Sequence, residues 1–160
     1  MKALKWLDEK LEESFLVASL IATVIIIFLQ VVMRYVFKSS LSWSEELARY
    51  IFLYQIWVGA SYAVKRSSHL RIEILKSKFS PRNQLVFDSF AMLIWLVFVA
   101  FLASKSFELT SMIFKRGQLS PAMRIPMGYA YASVPIGSGL MSLRIVQQIY
   151  YNIKKIKDIA

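Results

Sequence analysis

Cysteine is absent from the 160 residues, and histidine occurs only once, at position 69. Without a thiol, the chain cannot form a disulfide, a thiolate nucleophile, an iron–sulfur cluster or a cysteine zinc site. A single histidine also excludes a bis-histidine haem within this chain, and a zinc site would need carboxylates for nearly all of its ligands. We therefore expect no catalytic residue, no cofactor and no metal site, which argues against a membrane enzyme.

Charged residues are also few, at 19% of the chain, and they lie at the two ends and between long apolar runs. Hydrophobic residues make up 57%, well above the fraction typical of soluble domains. This distribution is what a bilayer imposes on a spanning protein. With no linker or repeat, the sequence predicts a single all-α integral membrane domain over residues 1–160.

Four apolar runs predict four transmembrane helices, at about residues 14–37, 43–65, 83–107 and 126–150. Residues 1–13 have leucines spaced by three and four, which predicts a short amphipathic helix on the membrane surface. The run from Ser14 to Met33 has 20 residues without a charge, longer than the apolar part of a signal peptide. We therefore expect the first helix to be retained.

Local signals refine two of these helices. Ser42 and Glu45 have the spacing of a capping box, which predicts that the second helix starts there. Pro126 fits the first turn of the last helix, whereas Pro135 falls inside it and predicts a kink. Glycines at 128, 137 and 139 leave room for close contact between helices.

The basic residues indicate the orientation. In a four-helix topology, both chain ends and the segment between helices 2 and 3 share one side of the membrane and carry thirteen of the 20 lysines and arginines. The positive-inside rule then places both termini in the cytoplasm and the 38–42 and 108–124 loops outside. The net charge of +10 is explained by flanking residues that contact lipid headgroups, so we expect no nucleic-acid partner.

Charges at the start of helix 2 are the main candidates for a functional site: Glu45, Glu46 and Arg49, with Arg34 at the end of helix 1 and Trp43 as an interfacial anchor. Charges entering hydrocarbon need partners. The cluster could be a proton or substrate site, or a clamp that joins helices 1 and 2 or joins the chain to a partner. We favour the clamp, because coupling sites normally lie near the bilayer midplane.

Two other features have ordinary explanations. His69 lies in a basic loop and could sense pH, but contact with solvent or headgroups explains it as well. The aromatic residues Trp43, Tyr50, Tyr54 and Trp57 share a broad face of helix 2. Packing against helices or lipid accounts for them better than a cofactor does.

Several segments, in order, resemble the small membrane subunit of tripartite ATP-independent periplasmic (TRAP) transporters, the Q or DctQ type. They are Gln30-Val31-Val32-Met33-Arg34-Tyr35-Val36-Phe37, Leu41-Ser42-Trp43-Ser44-Glu45-Glu46-Leu47-Ala48-Arg49-Tyr50, Gly59-Ala60 and His69-Leu70-Arg71-Ile72-Glu73, with weaker similarity at Ile125-Pro126 and Val134-Pro135-Ile136-Gly137. Together they span roughly residues 15 to 145.

The resemblance implies a bacterial inner-membrane complex in which a periplasmic binding protein delivers an organic anion, such as a sialic acid or a C4-dicarboxylate, to a large membrane subunit driven by sodium. The small subunit would brace the large one as a heterodimer and help to dock the binding protein. The outer loops at 39–44 and 115–124 would make that contact, the second through Lys115, Arg116 and Arg124.

A different interpretation is a self-contained four-helix exporter that works as a homodimer. Such a protein needs a protonatable group inside the bilayer, and the run from Ser14 to Met33 has no acidic residue. We therefore expect this chain alone to show no proton-linked dye efflux.

Overall fold

The computed structural model describes residues 2–66 and 81–159, and nearly all of them are helical. In chain order the helices are α1 (Lys2–Tyr35), α2 (Ser42–Lys65), α3 (Pro81–Lys115), the single turn α4 (Gly128–Tyr131) and α5 (Ser133–Ile159). The prediction of an all-α chain is confirmed for these residues. His69 and its neighbours lie outside the described residues.

The long helices form a row. Helix α1 packs on α2, α2 packs on α5, and α5 packs on α3. The order in space is therefore α1, α2, α5, α3, which differs from the order along the chain. Helices α1 and α3 occupy the two ends of the row, so each has a broad surface that no other described helix covers.

Within the described part of the chain, two helices have the length and apolarity to cross a membrane, over Lys10–Tyr35 and Asn83–Lys115. Only 6% of the most apolar part of each is buried within the chain, so their apolar side chains face outward. This is the reverse of a soluble core helix, whose apolar stripe faces inward. The outward surfaces are suited to lipid or to another membrane subunit.

The inner core is small. Four buried residues, Val64, Val99, Met141 and Ile145, form its centre where α2, α3 and α5 meet. Trp57 packs against this group, so one residue of the predicted aromatic face contributes to helix packing. The core lies at the middle of the row and leaves α1 attached mainly by other contacts.

The N-terminal segment differs from its expected form in one respect. Helix α1 continues without a break from Lys2 to Tyr35, whereas the sequence suggested a surface helix over residues 1–13 that turns into a span. Its end at Tyr35 places Arg34 in the last helical turn, as expected. The placement of residues 1–13 on the membrane surface stays a prediction.

The capping box predicted for α2 is wrong. The N-cap position belongs to Leu41, and no side chain caps it. Glu45 does not return to the helix start, because its carboxylate instead meets two side chains of α1. A tertiary contact has therefore replaced the local hydrogen bond that the spacing suggested.

The last helical region is interrupted rather than kinked inside one helix. Helix α4 ends at Tyr131 and α5 begins at Ser133, which leaves Pro135 in the first turn of α5. Proline has no N–H to donate to the carbonyl of Tyr131, four residues earlier, and this explains why the interruption falls there. The sequence predicted the disturbance but not its position.

Candidate functional site

Glu45 joins the end of α1 to the start of α2. One of its carboxylate oxygens accepts a hydrogen bond from Arg34 at 2.9 Å, and the same oxygen accepts another from the amide of Gln30. Arg34 also donates to Ser40 in the connecting loop, at 3.4 Å. The side chains of Arg34 and Glu45 are about half exposed. The geometry is that of a clamp between neighbouring helices.

Glu46, the next residue, has a separate set of partners. Its side chain is buried, and one carboxylate oxygen accepts hydrogen bonds from the backbone N–H groups of Ala122 and Met123, at 2.8 and 3.0 Å. The hydroxyl of Tyr50 donates to the other oxygen. Successive residues on a helix point about 100° apart, so adjacent glutamates reach different parts of the fold. Glu46 thus holds the loop between α3 and α4.

The other predicted site residues are exposed. Within the described residues, Arg49 forms no ion pair with Glu45 or Glu46, so the structure does not bring the expected trio together. Trp43 is 39% exposed on the first turn of α2. Three cations lie on or beside the loop after α3 with exposed side chains: Lys115, Arg116 and Arg124.

A polar contact in the middle of α2 also reaches α1. The side-chain amide of Gln55 donates to the hydroxyls of Ser19 and Thr23, at 3.2 and 3.4 Å. Each hydroxyl also donates to a carbonyl of α1, Ser19 to Leu16 and Thr23 to Ser19. Hydrogen bonds of this kind hold helices together where lipid cannot supply a hydrophobic driving force.

Glu12 forms a further cluster, near the end of α2 opposite to Glu45. Its side chain is 2% exposed, and one oxygen accepts hydrogen bonds from Ser61 at 2.9 Å and from Arg144 at 3.1 Å. The ammonium of Lys65 lies 3.9 Å from the other oxygen. Glu12 therefore connects α1, α2 and α5. The sequence predicted a surface helix over residues 1–13 and gave no indication that Glu12 is buried.

The clusters follow one stripe of α1. The stripe consists of buried or half-buried residues that recur at spacings of four and three: Glu12, Leu16, Ser19, Thr23, Ile26 and Gln30. Four of these six are polar, although α1 contains the more apolar of the two candidate spans among the described residues. A search for polar residues in heptad register would have identified this stripe and, with it, the role of Glu12.

Among the residues whose side chains the structure describes, 10–66 and 83–157, no group of three or more histidine, aspartate or glutamate side chains is placed to hold a metal ion. The carboxylates described above meet arginine, lysine, hydroxyl, amide or backbone N–H groups of the chain itself. Their arrangement can hold helices and a loop in place, which is a structural role.

Comparison with known proteins identifies a family that fits this arrangement. The family model for tripartite ATP-independent periplasmic transporters, DctQ component, matches residues 23–155. A putative TRAP transporter small permease protein from Haemophilus influenzae is 27% identical over 158 residues, which cover 94% of this chain and 95% of that protein. The match to a small permease therefore extends over nearly the full length of both chains.

Two larger proteins are also similar. The isethionate TRAP transporter permease protein DctMQ of Oleidesulfovibrio alaskensis is 30% identical over 91% of this chain. The sialic acid TRAP transporter permease protein SiaT of Haemophilus influenzae is likewise 30% identical over 91%. The chain spans only about a quarter of each, 24% and 23% of their lengths. These matches confirm the resemblance seen in the sequence, and the chain belongs to the DctQ family of TRAP transporter small membrane components, which are transporter subunits and not enzymes.

Proposed function

We propose that this chain braces the large transport subunit of a sodium-coupled TRAP transporter in the bacterial inner membrane. Its four long helices span the bilayer with both termini in the cytoplasm, and it forms a heterodimer with the large subunit. The carried substrate is an organic anion of the sialic acid or C4-dicarboxylate type. Relatives named for sialic acid and for C4-dicarboxylates support these two types, and a relative named for isethionate supports an organic anion more generally.

The main support for the bracing role is that α1 has two distinct faces, one polar and one apolar. Its polar stripe is used internally, by Gln55, Glu45 and the Glu12 cluster, while its apolar side chains face outward. A rigid helix row with uncovered apolar ends is suited to support a neighbouring membrane protein. The match to one part of the longer DctMQ chain agrees with a role beside a larger partner.

The exposed cations after α3 support a second part of the proposal, contact with the periplasmic binding protein. Lys115, Arg116 and Arg124 lie in a segment without an acidic residue, 115–127. Opposite charges steer two proteins into an encounter and fix its register. The loop therefore fits an acidic surface on a soluble partner.

Reconstitution tests the proposed function. The native complex is purified through a tag on this chain, incorporated into liposomes and supplied with binding protein, labelled organic anion and an inward sodium gradient. We expect a large membrane subunit in equal amount, and uptake that is lost when the sodium gradient is removed. Liposomes that contain the large subunit purified through its own tag, without this chain, should show no uptake. Recovery of the chain alone as a homodimer with proton-linked dye efflux would instead support the exporter, which family membership does not favour.

A further inference from the structure

The loop between α3 and α4 is held in one shape by hydrogen bonds. The N–H of Ser120 donates to the carbonyl of Ile125 at 2.8 Å, and the N–H of Met127 donates to that of Gln118 at 2.8 Å. The N–H of Ile125 also donates to the hydroxyl of Ser120, which is 1% exposed. A loop with this many internal contacts has little freedom to lose when a partner binds.

Two residues of this loop have left-handed backbone conformations. Gly117 has a φ of 61°, and Arg124 has a φ of 57°. Glycine adopts this conformation at little cost, but a residue with a side chain adopts it rarely. Arg124 keeps it because its N–H donates to the carbonyl of Ser120 at 3.2 Å and because the residues just before it are fixed. The direction of the Arg124 side chain therefore depends on the rest of the loop.

Glu46 is the group that fixes those preceding residues. The N–H groups of Ala122 and Met123 both donate to one of its oxygens, across 76 and 77 positions of sequence. The carboxylate is 6% exposed and is held in turn by Tyr50. A charged acceptor for two successive N–H groups is among the stronger kinds of hydrogen bond. Helix α2 thereby sets the position of a loop that follows α3.

We propose that Glu46 is a positioning residue that presents Lys115, Arg116 and Arg124 as a preformed docking surface for an acidic face of the periplasmic binding protein. The inference rests on the docking role proposed above and adds the device that makes the surface rigid. Topology does not explain these cations, since the positive-inside rule concentrates lysine and arginine on the opposite side. Docking to a rigid loop costs less conformational entropy than docking to a mobile one.

The test uses the whole complex in liposomes, with uptake measured against the concentration of binding protein. Glu46→Gln removes the charge and one acceptor. Glu45→Gln is the matched control, because it makes the same change at the adjacent position, whose contacts are with α1. A third variant reverses the charges of Lys115, Arg116 and Arg124 together. Hydrogen exchange of residues 116–127 reports on the loop itself.

We expect Glu46→Gln to raise the half-saturating concentration of binding protein about tenfold at an unchanged maximal rate, and to speed exchange in the loop. Glu45→Gln should change neither quantity. Tyr50→Phe, which removes only the hydroxyl that donates to Glu46, should raise the half-saturating concentration and the loop exchange rate by a smaller factor. If the Glu46→Gln complex fails to assemble, Tyr50→Phe tests the positioning role in its place.

Contrary outcomes separate the two proposals. In the first case, charge reversal weakens docking, but Glu46→Gln leaves loop exchange or the half-saturating concentration unchanged, or lowers only the maximal rate. The positioning role of Glu46 is then overturned, and the docking role stands. If charge reversal has no effect on half-saturation, the docking role fails, and the inference fails with it. An effect that disappears in liposomes without anionic lipid would identify headgroups as the ligand and overturn the inference.

Discussion

Gly137 of α5 lies directly against the backbone of Trp57 in α2. A methyl group at position 137 would meet the carbonyl carbon of Trp57 at 2.8 Å and its Cα at 3.0 Å, closer than ordinary van der Waals contact. The absence of a side chain therefore sets the distance between the two central helices of the row. A methyl group at Gly139, two residues later, would have no neighbour within 4 Å, so Gly139 does not set the distance between these helices.

Replacement of Gly137 should therefore destabilise the protein. We expect Gly137→Ala to lower the free energy of unfolding by about 1–3 kcal/mol, the usual range for forcing an extra methyl group into a packed site. Gly139→Ala is the control and should have no destabilising effect. Thermal unfolding of the purified complex in detergent measures both, and equal midpoints for the two variants would contradict the close contact.

Glu12→Gln tests the buried cluster between α1, α2 and α5. The change removes the buried carboxylate that pairs with Arg144 and Lys65, and breaking a buried ion pair typically costs about 3–5 kcal/mol. Glu13→Gln removes a neighbouring carboxylate that is 49% exposed and pairs with Arg66, so we expect a loss of at most about 1 kcal/mol. Similar thermal midpoints for the two variants would show that Glu12 is not the buried connector.

The hydrogen bond between Gln55 and Ser19 predicts a difference between two serines. Ser19→Ala and Ser104→Ala each remove a hydroxyl that bonds to the carbonyl of its own helix, but only Ser19 also accepts from another helix. We expect Ser19→Ala to cost about 1 kcal/mol more, the scale of hydrogen bonds between membrane helices. The comparison is made by thermal unfolding, and no difference would indicate that Gln55 does not hold α1.

Arg34 and Glu45 should be weakly coupled. Both side chains are about half exposed, and exposed ion pairs contribute about 1 kcal/mol or less. A double-mutant cycle of Arg34→Ala and Glu45→Ala, read from unfolding free energies, isolates the interaction. A coupling of several kcal/mol would show that the complex or the bilayer buries the pair.

The absence of native cysteine makes the topology directly testable, because single cysteines can be introduced without removing others. We expect Ser39→Cys and Gln118→Cys to react with a membrane-impermeant maleimide from the periplasmic side. Lys10→Cys and Lys154→Cys should react only after the inner membrane is opened. Labelling of all four from the same side would contradict the four-span arrangement.

Composition and motif order predicted the helices and the family correctly. Long uncharged runs predicted helices, and the ordered motifs predicted the family that the comparisons confirm. The sequence also placed Arg34 and Glu45 in one charged cluster at the junction of helices 1 and 2, but it left open which charges pair, and the structure pairs these two. Prediction from the sequence failed for the capping box at Ser42, where local spacing suggested a bond that a contact with α1 replaces.

Two glutamates, Glu46 and Glu12, show why some contacts could not be predicted from the sequence. Nothing local to Glu46 indicates that its partners are N–H groups 76 and 77 positions away. Glu12 likewise looks like a solvated residue until α2 and α5 are placed around it. Such partners depend on the order of helices in the row, and that order does not follow the order of the chain.

Apolar run length and motif order are properties of the chain alone, so they are enough to identify a helical membrane protein of the DctQ family. The pairing of the charges, the glycine that admits a neighbouring helix and the glutamate that holds the loop after α3 follow only from the folded chain. These outcomes depend on the rotation of each helix about its axis and on its choice of neighbours. Both are set by packing between segments far apart in sequence.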